Sequence, residues 1–439
     1  MKFSSSILVS ILSAVAHVNA GCTENGGNYY CSLTSKVIYK GVGFSGTYKD
    51  VTNMNEDTGS CTQKSRSFSG NLSPLDEQLS VHCRGPLKLK QFGVYYPSSL
   101  SSNKKREEDC NDNIHQHHKH KRATAVVEVT QTVVVDDSGN TVTSQATNTP
   151  TVSDASTTVT SSTAGSASSP NAASSGTSGT SSSDESESSS SSGSVDGSSA
   201  GSYERVSYYA SGTSDNVTFL NYYGGSGSGT WSSKFGNSLS YANSDFSGGS
   251  SKAVTVDSVS IGSDVEYVIM SGDKCDDSCG YYRDGIPAYK GFAGKEKIFV
   301  FEFEMPEASG SSSTYNYDMP AIWLLNAKIP RTLQYGDSSC SCWETGCGEL
   351  DLFEILSSGS DKLISHLHDG QGGGSSGYGG GGSQDYFKRP TSGTIKAAVV
   401  FDGENIHILT VDDDFGETLD SSTVQAWIDK EGSIAQINS

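Results

Sequence analysis

The sequence contains few charged and few apolar residues. Of its 439 residues, 18% are charged and 34% are hydrophobic. An ordinary globular chain is about a quarter charged and close to half apolar, so a single compact domain of this length is excluded. We therefore expect modest cores joined by a segment that does not pack.

Positive charge is scarce as well. The 30 Lys and Arg residues are outnumbered by 50 Asp and Glu residues, which gives a formal net charge of −20. Binding of nucleic acid requires clustered cations that neutralise phosphates. The composition therefore argues against nucleic acid as a partner.

Long apolar segments are missing too. The run at residues 7–18 is shorter than the ~20 residues that a bilayer-spanning helix needs. It follows Lys2 and ends at Val18-Asn19-Ala20, which is typical of a cleavage site. We predict a signal peptide at residues 1–20, a secreted protein and no membrane anchor, since the C-terminus lacks the apolar tail of a lipid-anchor signal.

Residues 21–122 predict a small glycine-containing, β-rich N-terminal module that ends at the dibasic pair Lys121-Arg122. Short alternating stretches at residues 36–39 and 87–90 read as strands. Four cysteines in this module would provide two disulfides to brace a small core, although their pairing cannot be read from sequence. These are Cys22, Cys31, Cys61 and Cys83.

Residues 123–202 predict a linker. From about residue 138 the chain is almost wholly Ser, Thr, Gly, Ala and Asp. Such a segment cannot bury enough apolar surface to offset its chain entropy, so we expect an extended, O-glycosylated connection. Short N-glycosylation patterns occur elsewhere, at Asn71 and Asn216.

Residues 203–439 predict an all-β domain. Aromatic and β-branched residues return here, and the segments 253–261, 297–303 and 395–400 read as strands separated by Gly, Ser and Asp. Many short strands over this length favour a jelly-roll β-sandwich of the concanavalin-like type.

Three acidic residues interleave with apolar ones in Gly348-Glu-Leu-Asp-Leu-Phe-Glu354. On a strand, Glu349 and Asp351 point to one face while the leucines enter the core. Strict alternation would bury Glu354 as an unpaired charge, so we predict a one-residue β-bulge near residues 352–353 that returns Glu354 to the acidic face.

Paired carboxylates suit glycoside hydrolysis by a retaining mechanism. One ionised carboxylate attacks the anomeric carbon, and a second, protonated one releases the leaving sugar. The alternative is an acidic strand on a solvated face, which the flanking apolar residues disfavour.

The motif resembles that of the laminarinase-like glycoside hydrolases of family 16, whose signature is E-x-D-x-x-E. The likeness also covers Pro320-Ala-Ile-Trp-Leu-Leu325 and Trp343. The whole chain resembles fungal cell-wall proteins described as glycosyl hydrolases with a glycine-rich N-terminal module. The resemblance implies a jelly-roll glucanase that needs no cofactor or metal.

Site roles follow from the resemblance residue by residue. It implies that Glu349 is the nucleophile, Asp351 the assisting acid and Glu354 the general acid/base. Trp323 and Trp343 resemble the family's cleft aromatics, although the spacing from Trp343 to Glu349 is one residue longer than the family pattern. His368, in preference to His366, resembles a histidine on the adjacent strand, with a structural role as the alternative.

Two further features leave alternatives open. Cys340, Cys342 and Cys347, with Cys275 and Cys279, suit disulfides in a secreted protein better than a zinc site, and the odd one over would pair with Cys110 or stay free. Tyr378 lies in a glycine-rich loop, residues 370–382, that we interpret either as a lid over substrate or as a plain surface loop.

The sequence thus predicts a secreted, monomeric cell-wall enzyme that hydrolyses or rejoins β-1,3-glucan. The rival hypothesis is a non-catalytic glucan-binding or structural wall protein, because a family resemblance is not an activity.

Overall fold

The computed structural model describes residues 21–25, 27–99, 201–310, 313–371 and 379–437. The strands of the first part of the chain are β1 Thr23–Asn25, β2 Asn28–Tyr30, β3 Lys36–Lys40, β4 Gly46–Asn55, β5 Ser60–Phe68, β6 Leu79–Arg84 and β7 Lys88–Pro97.

The strands of the second part are β8 Ser202–Ala210, β9 Thr213–Asp215, β10 Val217–Asn221, β11 Trp231–Ser232, β12 Gly236–Asn237, β13 Ser240–Ala242, β14 Gly249–Ser250, β15 Glu266–Ser271, β16 Glu296–Glu304, β17 Ala321–Asn326, β18 Glu349–Glu354, β19 Lys362–His368, β20 Gly381–Gly382, β21 Phe387–Lys388, β22 Ile395–Asp402, β23 Ile406–Val411, β24 Thr418–Asp420 and β25 Ser433–Gln436. The helices are α1 Lys328–Arg331 and α2 Ser421–Asp429, with 3₁₀ turns at Asp277–Cys279, Ser338–Cys340 and Trp343–Thr345.

Most strands form two large sheets. Sheet A has the order β14, β13, β10, β15, β6, β17, β18, β19 and β20, with β21 also paired to β19. Sheet B has the order β24, β8, β7, β16, β22, β23, β3 and β25, with β9 also paired to β8. The predicted all-β sandwich is confirmed.

One apolar core is built from both sheets. Alternate residues of each strand point inward, as the two-residue period of a strand requires. Val81 and Leu324 of sheet A and Phe301 and Val399 of sheet B belong to the same buried cluster, each with no solvent exposure. This packing leaves the opposite face of sheet A available for a site.

Strands from the start of the chain occupy interior positions in both sheets. In sheet A, β6 lies between β15 and β17, and in sheet B, β7 lies between β8 and β16. The expectation of a separate N-terminal module does not describe this arrangement. The physical reason is size: so short a segment buries its apolar residues better by completing larger sheets than by forming its own core.

The two strands of sheet B that come earliest and latest in the chain, β3 and β25, are neighbours. β25 pairs in parallel with β3, so that Ile434 lies opposite Ile38. The amino group of the buried Lys36 donates to the carbonyl oxygens of Trp427 (2.9 Å) and Lys430 (2.8 Å), at the end of α2. A lysine at this position also complements the negative end of the helix dipole.

The disulfide pairing differs from what the sequence led us to expect. Cys22 pairs with Cys31, whereas Cys61 pairs with Cys340 across 279 residues, and Cys83 is buried and free. The expectation of two disulfides within the N-terminal module is therefore wrong. Both alternatives for the odd cysteine of the later segment, pairing with Cys110 or staying free, are wrong too, because Cys340 is bonded to Cys61. The reason is that β5 and the turn at Ser338–Cys340 are brought together by the fold.

The other four cysteines among the described residues form short local disulfides, Cys275–Cys279 and Cys342–Cys347. A zinc site on these thiolates is thereby ruled out in favour of the predicted disulfides.

Four of the five predicted strands are present. β3, β7, β16 and β22 contain or overlap them. The segment 253–261 is not a strand, although Val256 and Ile261 are buried. It lies beside Leu87 and makes only an isolated bridge there, so its apolar residues fill the core without a hydrogen-bonded ladder.

Several predictions fall outside the described residues: the signal peptide, the dibasic pair, all but the end of the linker, and Tyr378. Among the helices that the structure does describe, none has the length and apolar character needed to cross a membrane.

We predict that residues 203–439 do not fold alone. Without β6, β7 and β3, sheet A is interrupted between β15 and β17, and sheet B between β8 and β16. The fragment should show no cooperative thermal transition by circular dichroism, whereas residues 21–439 should. Adding residues 21–112 in trans should restore the transition, and a fragment that melts cooperatively alone would contradict the expectation.

Candidate active site

The acidic motif lies on β18, between β17 and β19. Leu350 and Leu352 are fully buried in the core, while Glu349, Asp351 and Glu354 face a cleft on the other side of the strand. The segment folds this way because its apolar and acidic residues alternate.

A β-bulge interrupts this alternation at the predicted place. Phe353 lies opposite Ile322, and Asp351 lies opposite Trp323, so Leu352 is an extra residue against β17. Register on the β19 side shifts between the same positions. The bulge is therefore confirmed, and it brings the third carboxyl group to the same cleft as the other two.

The cleft has a volume of about 310 Å³. Its walls combine aromatic, apolar and charged side chains. The lining residues are Arg84, Trp323, Leu325, Ile329, Gln334, Tyr335, Trp343, Glu349, Asp351 and Glu354. Such a mixture suits a ligand with both apolar faces and hydroxyl groups.

Trp343 is held directly over Glu349. Its indole Nε1–H donates to Glu349 Oε2. The turn that carries it is fixed by the Cys342–Cys347 disulfide and by Gly346, whose φ is 88°. A Cβ at Gly346 would lie 2.7 Å from the Asp369 carbonyl oxygen, so the turn requires glycine.

His368 contacts the middle acid. Its Nε2 lies 3.3 Å from Asp351 Oδ2. His366 lies beside it on the same face, with ring centroids 6.2 Å apart. Burial, followed by the charge of His368, lowers the pKa of His366 to about 4, so His366 is neutral at neutral pH.

Arg84 neutralises the third acid, and sequence reasoning missed it. Its guanidinium Nη2 lies 3.2 Å from Glu354 Oε1, and its Nε donates to the Met319 carbonyl at 2.9 Å. The same guanidinium lies over the Trp323 ring, 5.7 Å from its centroid.

A second residue that sequence reasoning missed, His82, also contacts Trp323. The imidazole of the fully buried His82 stacks on it at 5.1 Å. His82 is in turn within hydrogen-bonding distance of the Ser80 hydroxyl, at 2.9 Å. Trp323 itself is only 4% exposed, so it forms the floor of the cleft more than a free surface.

Burial is the main influence on the acids. It raises the pKa of Glu349, Asp351 and Glu354, and the charge of a neighbouring carboxylate raises the pKa of Glu349 and Asp351 further. Arg84 acts in the opposite direction on Glu354, as His368 and Trp343 do on Glu349. The three acids therefore share at least one proton at neutral pH.

No local signal in the sequence could have found Arg84 or His82. Both come from β6. Arg84 precedes Glu354 by 270 residues, His82 is likewise far from Trp323 in the sequence, and only the pairing of β6 with β17 brings them to these partners. The fold places the predicted residues Glu349, Asp351, Glu354, Trp323, Trp343 and His368 together.

Two family models match the chain. Residues 201–427 match the model described as cell wall protein YJL171C/Tos1, C-terminal, and residues 35–97 match the corresponding N-terminal model. Together they cover most of the residues that form the two sheets.

Three of the relatives found are similar to the chain over nearly their whole length. A Candida albicans protein named "Probable circularly permuted 1,3-beta-glucanase TOS1" is 60% identical, covering 100% of both chains. A Saccharomyces cerevisiae protein of the same name is 51% identical over 99% of each. An Arthroderma benhamiae "Probable circularly permuted 1,3-beta-glucanase" is 34% identical over 98% of this chain and 97% of its own. No solved structure is significantly similar to the chain.

We predict that Glu349→Gln stabilises the protein at high pH. Burial and the charge of Asp351 raise the pKa of Glu349 to about 8, so the folded state holds a proton that the unfolded state releases near pH 4. Stability should therefore fall as pH rises from about 4 to 8, by at most about 1.4 kcal/mol per pH unit for this proton.

Thermal melting from pH 5 to pH 8 checks this. Glu349→Gln should melt above the unmodified protein at pH 8, with the difference shrinking at pH 5, while Glu344→Gln, an exposed neighbour, should change little. An equal difference at both pH values would refute the expectation.

Proposed function

The chain belongs to the YJL171C/Tos1 family of cell wall proteins, and from this premise we propose that it is a secreted β-1,3-glucanase of the fungal cell wall that acts by a retaining mechanism. The observation that carries the proposal is the bulge on β18, which aims Glu349, Asp351 and Glu354 into one cleft. The names of the relatives supply the substrate.

The reaction takes two steps. A carboxylate oxygen of Glu349 attacks the anomeric carbon, forming a C–O bond as the glycosidic C–O bond breaks, and Glu354 gives its proton to the departing sugar oxygen. Glu354 then removes a proton from water or from a sugar hydroxyl, whose oxygen displaces Glu349. Hydrolysis and transfer differ only in this acceptor.

The contacts of the two glutamates suit these roles. Burial and Asp351 raise the pKa of Glu349 to about 8, so the form that attacks is its ionised fraction, which the Trp343 indole N–H stabilises and orients. Burial keeps the pKa of Glu354 raised, so that it can hold a proton, and Arg84 at 3.2 Å stabilises the carboxylate left when the proton has gone. Asp351, held by His368, lies between the two and adjusts their charge.

We propose further that the chain shares the circular permutation in its relatives' names. Circular permutation requires that the ends of the domain lie close together. The parallel pairing of β25 with β3 provides this proximity, and the insertion of β6 and β7 into the sheets shows early segments filling interior positions.

We predict that Glu349→Gln and Glu354→Gln each reduce turnover of reduced β-1,3-glucan oligosaccharides by about 10³-fold or more, because each removes a group that takes part in bond breaking. The measurement is mass analysis of products made by residues 21–439, with Glu344→Gln as the active control. Shorter products indicate hydrolysis, and longer ones indicate transfer.

Full activity of Glu349→Gln would disprove the assignment of the nucleophile. If the unmodified protein binds these oligosaccharides and makes no product, the chain is the non-catalytic glucan-binding wall protein that its cleft would equally permit.

A second experiment separates the two roles. With azide and an activated β-glucosyl donor whose leaving group needs no proton, Glu354→Ala should give the β-azide, since azide attacks the glycosyl-enzyme. Glu349→Ala should give the α-azide, since azide then replaces the missing nucleophile. The azide anomer is read by proton NMR, and the reverse pairing would exchange the two assignments.

A further inference from the structure

One aromatic side chain of the cleft, Tyr335, is exposed, whereas Trp323 is buried. Tyr335 is 61% exposed and lines the same cleft as the three acids. Its hydroxyl donates to Glu266 Oε2 at 2.7 Å. The ring is therefore held at its far end while its surface remains open to the cleft.

Glu266 is built as an anchor for this ring. Its side chain is only 12% exposed. The amide nitrogen of Gln334 donates to its other oxygen at 3.1 Å, and His82 Nδ1 lies 3.4 Å from that oxygen. A carboxylate with three partners has little freedom to move, so Tyr335 is positioned by a rigid group.

The segment that carries Tyr335 is fixed on its other sides too. The Tyr222 hydroxyl donates to Gln334 Oε1, and the Tyr222 ring meets the Tyr335 ring edge-on, with centroids 6.1 Å apart. Leu333 is buried in a cluster with Cys340, whose disulfide to Cys61 secures the following turn. These contacts order the segment 333–335 without a ligand.

Glu266 and the three acids stand on different strands of sheet A. Glu266 is on β15, and two strands, β6 and β17, separate β15 from β18. Three strand spacings of ~4.8 Å place the two backbones about 14 Å apart. A ligand that contacts both Tyr335 and the carboxylates must run across the strands.

We propose that Tyr335 is a specificity-determining platform on which a glucosyl unit farther along the chain, beyond the two units that flank the cleaved linkage, stacks, with Glu266 as its positioning residue. The inference rests on the proposed function, because the ligand is the same β-glucan chain. A β-linked glucose ring presents C–H groups on its faces, and an aromatic face binds such an apolar surface.

The arrangement of the platform favours affinity. A preformed ring loses little conformational entropy on binding, so most of the contact energy is retained. The exposed ring would otherwise place a large apolar surface in water with no structural gain. The expected consequence is a dependence on oligosaccharide length, since short chains bound at the acids do not reach Tyr335.

Measuring oligosaccharide affinity in an inactive variant tests the role of Tyr335 independently of turnover. In residues 21–439 carrying Glu349→Gln, affinity for reduced β-1,3-glucan oligosaccharides of two to seven units is measured by calorimetry. Adding Tyr335→Ala should weaken binding of the longer chains about tenfold and leave the shortest nearly unchanged. Tyr335→Phe should retain most of the affinity because it keeps the ring.

The matched control is Tyr315→Ala, which removes a tyrosine that is 93% exposed and does not line the cleft. Equal affinity of Tyr335→Ala and its parent at every length would overturn the proposal, as would an equal loss at every length.

In an active parent, Tyr335→Ala should raise KM for long chains and leave kcat nearly unchanged. If the parent binds glucan but makes no products, the catalytic proposal fails while the length dependence still decides on the platform.

Discussion

Three carboxyl groups on one face of a single strand repel one another once they are buried, and the rest of the site is organised around that repulsion. The core requires Leu350 and Leu352 on the opposite face, and the bulge then turns Glu354 toward the other acids. Each acid receives one compensating partner from a different element: Trp343 from a turn, His368 from β19 and Arg84 from β6. Removing any one partner leaves a buried carboxylate without its compensating charge or hydrogen bond. This loss destabilises the fold more than the same loss would at a solvent-exposed carboxylate.

The order of the chain matters because one of these partners comes from its first part. β6 completes sheet A between β15 and β17 and carries Arg84 and His82 on its cleft face. The same strand that closes the sheet therefore supplies the guanidinium that pairs with Glu354. The site therefore contains residues from both parts of the chain, and the Cys61–Cys340 disulfide joins the same two parts covalently.

The sequence is sufficient for what is local. Alternation around Asp351 defines the strand, and the cost of burying Glu354 predicts the bulge, because both depend on neighbours within a few residues. Long-range pairing is another matter. Nothing near Arg84 indicates that it faces Glu354, 270 residues later, and the cysteine count did not indicate that Cys61 pairs with Cys340. Segment 253–261 shows the converse. Its apolar residues Val256 and Ile261 are buried, as the pattern predicts, but the segment does not form the predicted strand. The hydrophobic pattern of a segment indicates which of its residues are buried, whereas the strand with which it pairs depends on the whole fold.

The charge of the cleft limits what it can hold. Its lining guanidinium, Arg84, is directed at Glu354, so a polyanion would meet the negative charge of the acids with no free Lys or Arg among the described lining residues to offset it. An uncharged polymer carries no such cost. For a neutral sugar chain, affinity has to come from ring contacts and hydroxyl groups, which is why the aromatic side chains of the cleft bear on recognition. Trp323 supplies a buried floor and Tyr335 an exposed face, and the network through Glu266 and His82 connects them. The acids supply the chemistry, and the aromatic residues beside them supply the binding that a neutral substrate needs.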